Sequence, residues 1–350
     1  MEFRTTGVFM HLPRPWRDRA GRFSWLKAIV FAATLVPAVL LAVALWRSFG
    51  PGGGTVAGVG GPALPGPALL GPALPGPALP GPALPGPAVG GPGLDPFLGA
   101  LGPRPYTEAI HIAGDWTIRF LLLTLTVTPL RRFGRWSKLL SVRRMLGLAT
   151  LFYVLVHLGL YIADQNFNLV NVASEIVKRI YLTIGIIAIF GLAALGVTST
   201  DGMIRRMGRN WTRLHSLIYP IAALGLVHYF MQVKIDASIP AFYAGLFLFL
   251  MGLRLALKLG LPATLPTALL VAVLSGPATA LAEALWYAAA TGVDPWRVLA
   301  ANLDPSVGLR PSAWVVIYAI SGSLGAGALS YWFGRQQGPR GRARPAMAAG

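Results

Sequence analysis

Charge-free apolar stretches recur along the chain and reach the length of about 20 residues that a helix needs to cross a bilayer core. Eight are read as spans, at residues 25–46, 112–130, 145–163, 180–200, 214–233, 237–253, 259–282 and 311–334. The second and seventh are the least uniform. Arg119 sits inside the second, and Pro262 and Pro266 interrupt the start of the seventh. The fold this predicts is all-α, a polytopic transmembrane helix bundle.

Composition agrees with that class: 55% of the 350 residues are hydrophobic and 12% are charged. A net charge of +18 would suggest nucleic acid in a soluble chain, so the placement of the positive residues decides its meaning. They collect on alternate links. Arg4, Arg14, Arg17, Arg19, Arg22 and Lys27 precede or open the first span, and Arg131, Arg132, Arg135, Lys138, Arg143 and Arg144 join the second to the third. Arg205, Arg206, Arg209 and Arg213 follow the fourth, Arg254 and Lys258 the sixth, and Arg335, Arg340, Arg342 and Arg344 the eighth. The opposite links are nearly balanced. The positive-inside rule accounts for this with both termini in the cytoplasm of a bacterial inner membrane, and the expected partner is the lipid bilayer, with no nucleic acid. The first apolar run is long for a signal peptide and its basic region extends past twenty residues, so a retained span is expected.

Residues 61–89 repeat Gly-Pro-Ala-Leu-Pro with a period of five and no charge. Proline at that density excludes helix and sheet interiors, and the period excludes collagen, leaving a polyproline-like or disordered spacer or a tolerated low-complexity expansion. The organisation expected is a cytoplasmic basic N-terminus (1–24), a first span (25–47), a periplasmic loop carrying the repeat (48–110), a membrane core (111–258), two further spans (259–334) and a basic cytoplasmic tail (335–350). No glycine fingerprint follows a strand pattern, so a built-in NAD or FAD domain is not expected. The absence of cysteine removes disulfides, Fe–S clusters, thiolate-ligated heme and thiol catalysis.

Three of the five histidines, His157, His215 and His228, fall inside predicted spans, where an ionisable group is costly and marks a candidate site. His157 lies a dozen residues beyond Met145 and His228 fourteen beyond Leu214 on two spans of the same direction, which at about 1.5 Å per residue sets both at similar height in the outer half. Two imidazoles at one depth on separate helices can ligate heme b iron from both faces, leaving no open position and suiting electron transfer. The alternative is that each imidazole makes an interhelical hydrogen bond. His215 lies at the inner end without an evident partner; thirteen residues before His157, where its counterpart would stand, is Arg144. Positions thirteen apart on an ideal helix fall about 140° out of phase, though Pro220 between His215 and His228 could kink the span. Arg119 could pair with a heme propionate or snorkel to the interface. His111, at the outer mouth of the second span, reads as a ligand or an interfacial residue.

The strings at 120–132 (FLLLTLTVTPLRR), 143–148 (RRMLGL), 178–185 (KRIYLTIG), 197–200 (VTST) and 213–219 (RLHSLIY) resemble the MsrQ family, also called YedZ, within the ferric-reductase-like transmembrane superfamily. The resemblance covers about 25–254 apart from the repeat. It implies a six-span heme-binding core with about two extra C-terminal spans, heme association (one or two hemes) of His157, His215 and His228, and no catalytic residues on this chain. It further implies electrons from the quinone pool, with FMN as a candidate intermediate carrier. These would pass to a periplasmic molybdopterin-containing methionine sulfoxide reductase subunit that repairs oxidised proteins. Two other readings compete: a stand-alone ferric or quinone reductase using the same heme, and a transporter or assembly protein in which the histidines pack or relay protons.

Overall fold

A computed structural model describes residues 16, 22–49, 101, 104–233, 236–304, 306 and 308–336. The five-residue repeat, most of the basic N-terminus and the end of the tail lie outside the described residues, so the spacer reading is not addressed by it. Twelve α-helices order the described residues. They are α1 (Trp25–Phe49), α2 (Pro105–Phe133), α3 (Arg143–Asp164), α4 (Leu169–Lys178), α5 (Ile180–Val197), α6 (Asp201–Met207), α7 (Arg209–His215), α8 (Ile218–Gln232), α9 (Ser238–Lys258), α10 (Leu265–Thr291), α11 (Pro295–Leu303) and α12 (Pro311–Gln336). Eight helices or helix pairs are long and apolar enough to cross a membrane, α7 and α8 together making one. The chain is a multi-pass membrane protein.

Three spans differ from the pattern read in the sequence: the second begins at Pro105 rather than at 112, which takes His111 into the helix. The fifth is broken: α7 ends at His215, and α8 restarts at Ile218 with Pro220, which has no N–H to donate, in its first turn where none is needed. The seventh is shifted toward its C-terminus. Pro266 occupies the first turn, where proline is tolerated, rather than interrupting the span, and the helix continues to Thr291. Short helices cap the links. Asn168 accepts the Asn171 N–H at the start of α4, Thr200 that of Met203 before α6, and Asp294 that of Trp296 before α11.

α2 and α9 form the centre. Half of the apolar window of each is buried, against 22% for α1, α3, α5 and the α7–α8 pair, whose outer faces are left to lipid. One contiguous core joins Leu121, Leu125, Leu192, Ala222 and Leu250 to Ala268 and Ala272 of α10 and Ala319 of α12. The last two spans are therefore packed into the bundle. Their approach to α9 is close: a Cβ on Gly245 would run into Thr279 and Val315, so small residues let the backbones near each other where apolar burial gives little drive.

At one end of this hairpin Glu283, fully buried, pairs with Arg310, and its other oxygen accepts from Asn302 Nδ2 at 2.9 Å. A buried carboxylate is tolerable only when paired and hydrogen-bonded, and its loss strands the partner cation. Glu283→Ala is expected to lower stability by about 3 kcal/mol, near the low end for broken buried pairs because Arg310 stays partly solvated. Denaturant unfolding in detergent micelles measures it, and an unchanged midpoint would contradict the pairing.

Candidate functional site

His157 on α3 and His228 on α8 meet inside the bundle. Their ring centres are 6.2 Å apart and the planes cross at 85°. Each Nδ1 lies 2.8 Å from a backbone carbonyl, His157 from Ile110 O on α2 and His228 from Tyr181 O on α5. A carbonyl only accepts, so both rings donate from Nδ1, which leaves Nε2 as the nitrogen with a lone pair. This is the arrangement by which an outer-shell acceptor fixes a metal-binding imidazole's tautomer and raises its basicity.

The two halves of the site repeat one design. Each histidine stands 47 residues after its carbonyl partner. One turn beyond each carbonyl is a glycine against which the ring lies. A Cβ on Gly114 would stand 3.2 Å from His157 Nδ1, and one on Gly185 would stand 2.9 Å from His228 Nδ1. The sequence Leu-Val-His also recurs, at 155–157 and 226–228. The histidines were legible as a pair by depth; Ile110, Gly114, Tyr181 and Gly185 were missed, and this matched spacing is the signal that points to them.

The gap fits a heme iron. Two metal–imidazole bonds of about 2 Å, each extended by a ring radius of about 1.1 Å, hold ring centres about 6 Å apart, close to the observed 6.2 Å. Among the described residues no group of three or more His, Asp or Glu side chains is placed to hold a metal. Among the described residues the donor set brought together is two imidazoles, which suits a metal that arrives with its own four macrocycle nitrogens.

Beside the pair lies a polar network that ties α2, α8 and α9 together. Tyr229, next to His228, donates to Asp115 at 2.5 Å, and Asp115 follows Gly114. Arg119 Nε donates to Tyr243 Oη at 2.8 Å, its NH2 is 3.9 Å from Asp115, and its guanidinium stands 4.7 Å from the centre of the Trp116 ring. Arg119 is thus held inside the bundle, and Asp115, Tyr229 and Tyr243, which the sequence reading passed over, share its environment.

His215 stands apart from the pair. His215 ends α7, stacks on Trp211 at 3.8 Å, and has both nitrogens engaged, Nδ1 with Trp211 O at 3.1 Å and Nε2 with Ser199 Oγ at 3.2 Å. Arg144, its counterpart by spacing, is paired with Asp201 at 2.6 Å. His111 is exposed on α2, beside Ile110 in sequence.

Comparison with known proteins adds a family. Residues 113–226, from α2 into α8, match the family described as ferric reductase like transmembrane component. A protein-methionine-sulfoxide reductase heme-binding subunit MsrQ of Xanthomonas campestris pv. campestris (strain B100) is 47% identical over 156 residues, 44% of this chain and 72% of that relative. The protein of the same description from Rhodospirillum rubrum is 44% identical over 159 residues, 45% of this chain and 76% of that relative. No solved structure matches.

Proposed function

Because the chain belongs to the MsrQ family of ferric-reductase-like membrane proteins, we propose that it is a b-type heme subunit carrying electrons across the bacterial inner membrane to a methionine sulfoxide reductase. The observation that carries this reading is the His157–His228 pair, with its 6.2 Å ring separation and Nδ1 hydrogens both bound to backbone. The names of the relatives supply the heme and the reductase system. In the finer reading, both termini are cytoplasmic, electrons arrive from quinone, with FMN as a candidate carrier. They leave to a periplasmic molybdopterin subunit, where the sulfoxide chemistry occurs. The domain limits follow the same assignment, with the core at 111–258 and the repeat facing the partner's side.

A bound heme supplies reversible one-electron exchange between ferric and ferrous iron. His157 and His228 would hold the heme from two separate helices, and a heme held by two protein imidazoles would supply electron transfer rather than substrate conversion. The carbonyls of Ile110 and Tyr181 hold the rings in orientation, so little rearrangement accompanies a change of charge. Arg119, fixed by Tyr243 and Asp115, sets a cation beside the site that would stabilise negative charge there, such as a propionate. His215 is assigned a separate role at the other end, its ring held by Ser199 and Trp211.

Purified protein is expected to show a Soret band and, after dithionite, sharp reduced-minus-oxidised bands of a b-type heme; a preparation without them would overturn the assignment. The family match also supports a stand-alone ferric reductase. Reduced protein that reoxidises with a ferric chelate, and not with a methionine sulfoxide reductase plus its substrate, would favour that second reading.

A further inference from the structure

Two short helices lie at the end of the bundle nearer the His157–His228 pair, α4 between α3 and α5 and α11 between α10 and α12. They share a pattern. Each is pinned by one buried valine, Val172 or Val298. On the opposite side, at helical spacing, each carries an exposed apolar stripe: Val170, Ala173 and Val177 on α4, and Trp296, Ala300 and Leu303 on α11. Val170 and Val177 are 82% and 83% exposed, and Trp296 and Leu303 are 75% and 84% exposed.

Several polar side chains of both helices are engaged within the chain. Asn171 donates to Gln165 Oε1 at 2.8 Å, Glu175 pairs with Arg179, and Asn302 donates to Glu283 and to Val298 O. The exposed apolar stripes have no covering element among the described residues.

The height of the two helices identifies what covers them. α11 does not sit on top of its hairpin: Asn302 reaches Glu283, eight residues and therefore about 12 Å before the end of α10. α4 likewise hangs beside α5, since Thr183 Oγ1, one turn inside that span, donates to Ile176 O of α4 at 2.5 Å. A helix beside the end of a span, pinned inward by one valine, turns its opposite side laterally, toward the medium that the exposed Ile180 and Ile187 of α5 and Leu281 and Leu285 of α10 already face. Trp296 has the amphipathic ring favoured at the headgroup level.

We propose that α4 and α11 are interfacial anchors, lying in the headgroup layer with Val170, Ala173, Val177, Trp296, Ala300 and Leu303 submerged in lipid. The ligand class is the bilayer surface of the leaflet nearer the histidine pair. The two anchors fix the depth of that pair below the water boundary. This goes beyond the heme reading and does not depend on it.

The chain contains no cysteine, so single cysteines can be placed one at a time through 169–178 and 295–303 in the full-length protein and labelled with a nitroxide. In nanodiscs of phosphatidylethanolamine and phosphatidylglycerol, collision with oxygen is expected to peak at positions 170, 173 and 177 and at 296, 300 and 303. Collision with a water-soluble nickel chelate should peak out of phase, giving a several-fold change in their ratio around each helix. In-phase maxima at the stripes would mean they face water and would overturn the proposal in favour of a protein-docking face. Low collision with both reagents would overturn it in favour of a covering chain.

Discussion

His157→Ala and His228→Ala are each expected to strip the purified protein of most of its heme, by about tenfold or more relative to the unchanged chain. Among the described residues these two rings are the imidazoles that the bundle brings together, and each is already held in the tautomer that presents Nε2. Removing either would take away one of the two imidazoles that would hold the heme, and it opens a cavity the size of the lost ring. His215→Ala should behave differently, because that ring is engaged at both nitrogens by Trp211 and Ser199 near the other end of the span. Its expected effect is a smaller change in heme content, with Ser199 and Trp211 losing a partner. Pyridine hemochrome quantitation on the three variants checks this. Equal heme in wild type and in both outer-pair variants would refute the assignment, while well-folded but heme-free variants would support it.

The eight spans were legible because a membrane helix needs only a long run of apolar residues, and such runs survive without any knowledge of packing. What escaped was where a span stops or breaks. Pro266 looked like an interruption because proline disrupts helix interiors, yet in a first turn it costs nothing. Pro220 could be marked as a kink, but the restart of the helix at Ile218 depends on how Ser199 and Trp211 hold the preceding segment, a contact the sequence does not display. Depth alone paired His157 with His228, since rise per residue converts position into height. Their outer partners were invisible for a different reason: backbone carbonyls carry no side-chain signature, so Ile110 and Tyr181 read as ordinary apolar residues. Arg119 attracted attention as a charge, whereas Asp115 and Tyr229, which complete its network, required knowing that α2 and α8 touch.

Gly185→Ala is expected to cost more heme than Gly114→Ala, and both should cost more than Gly159→Ala. A methyl on Gly185 would stand 2.9 and 3.0 Å from His228 Nδ1 and Cε1, closer than side-chain carbons pack, and one on Gly114 would stand 3.2 and 3.3 Å from the same atoms of His157. Neither ring can simply swing aside, because its Nδ1 is tied to a carbonyl one turn earlier on the helix that carries the glycine. Relief must come from stretching that hydrogen bond or separating the helices, a cost of about 1–3 kcal/mol for overpacking of this kind. An imidazole displaced by even a fraction of an ångström weakens its grip on the iron, and loss of a second-sphere restraint lowers metal affinity about 10- to 100-fold. Gly159, on the same helix as His157 with nothing within 4 Å of an added Cβ, is the control; there alanine should leave heme content unchanged and stabilise the helix by about 1 kcal/mol or less. Heme content and the reduction midpoint potential of the three variants, measured side by side, test the order. If Gly185→Ala retained full heme at an unaltered potential, the close seating of His228 against α5 would not be what positions the ring.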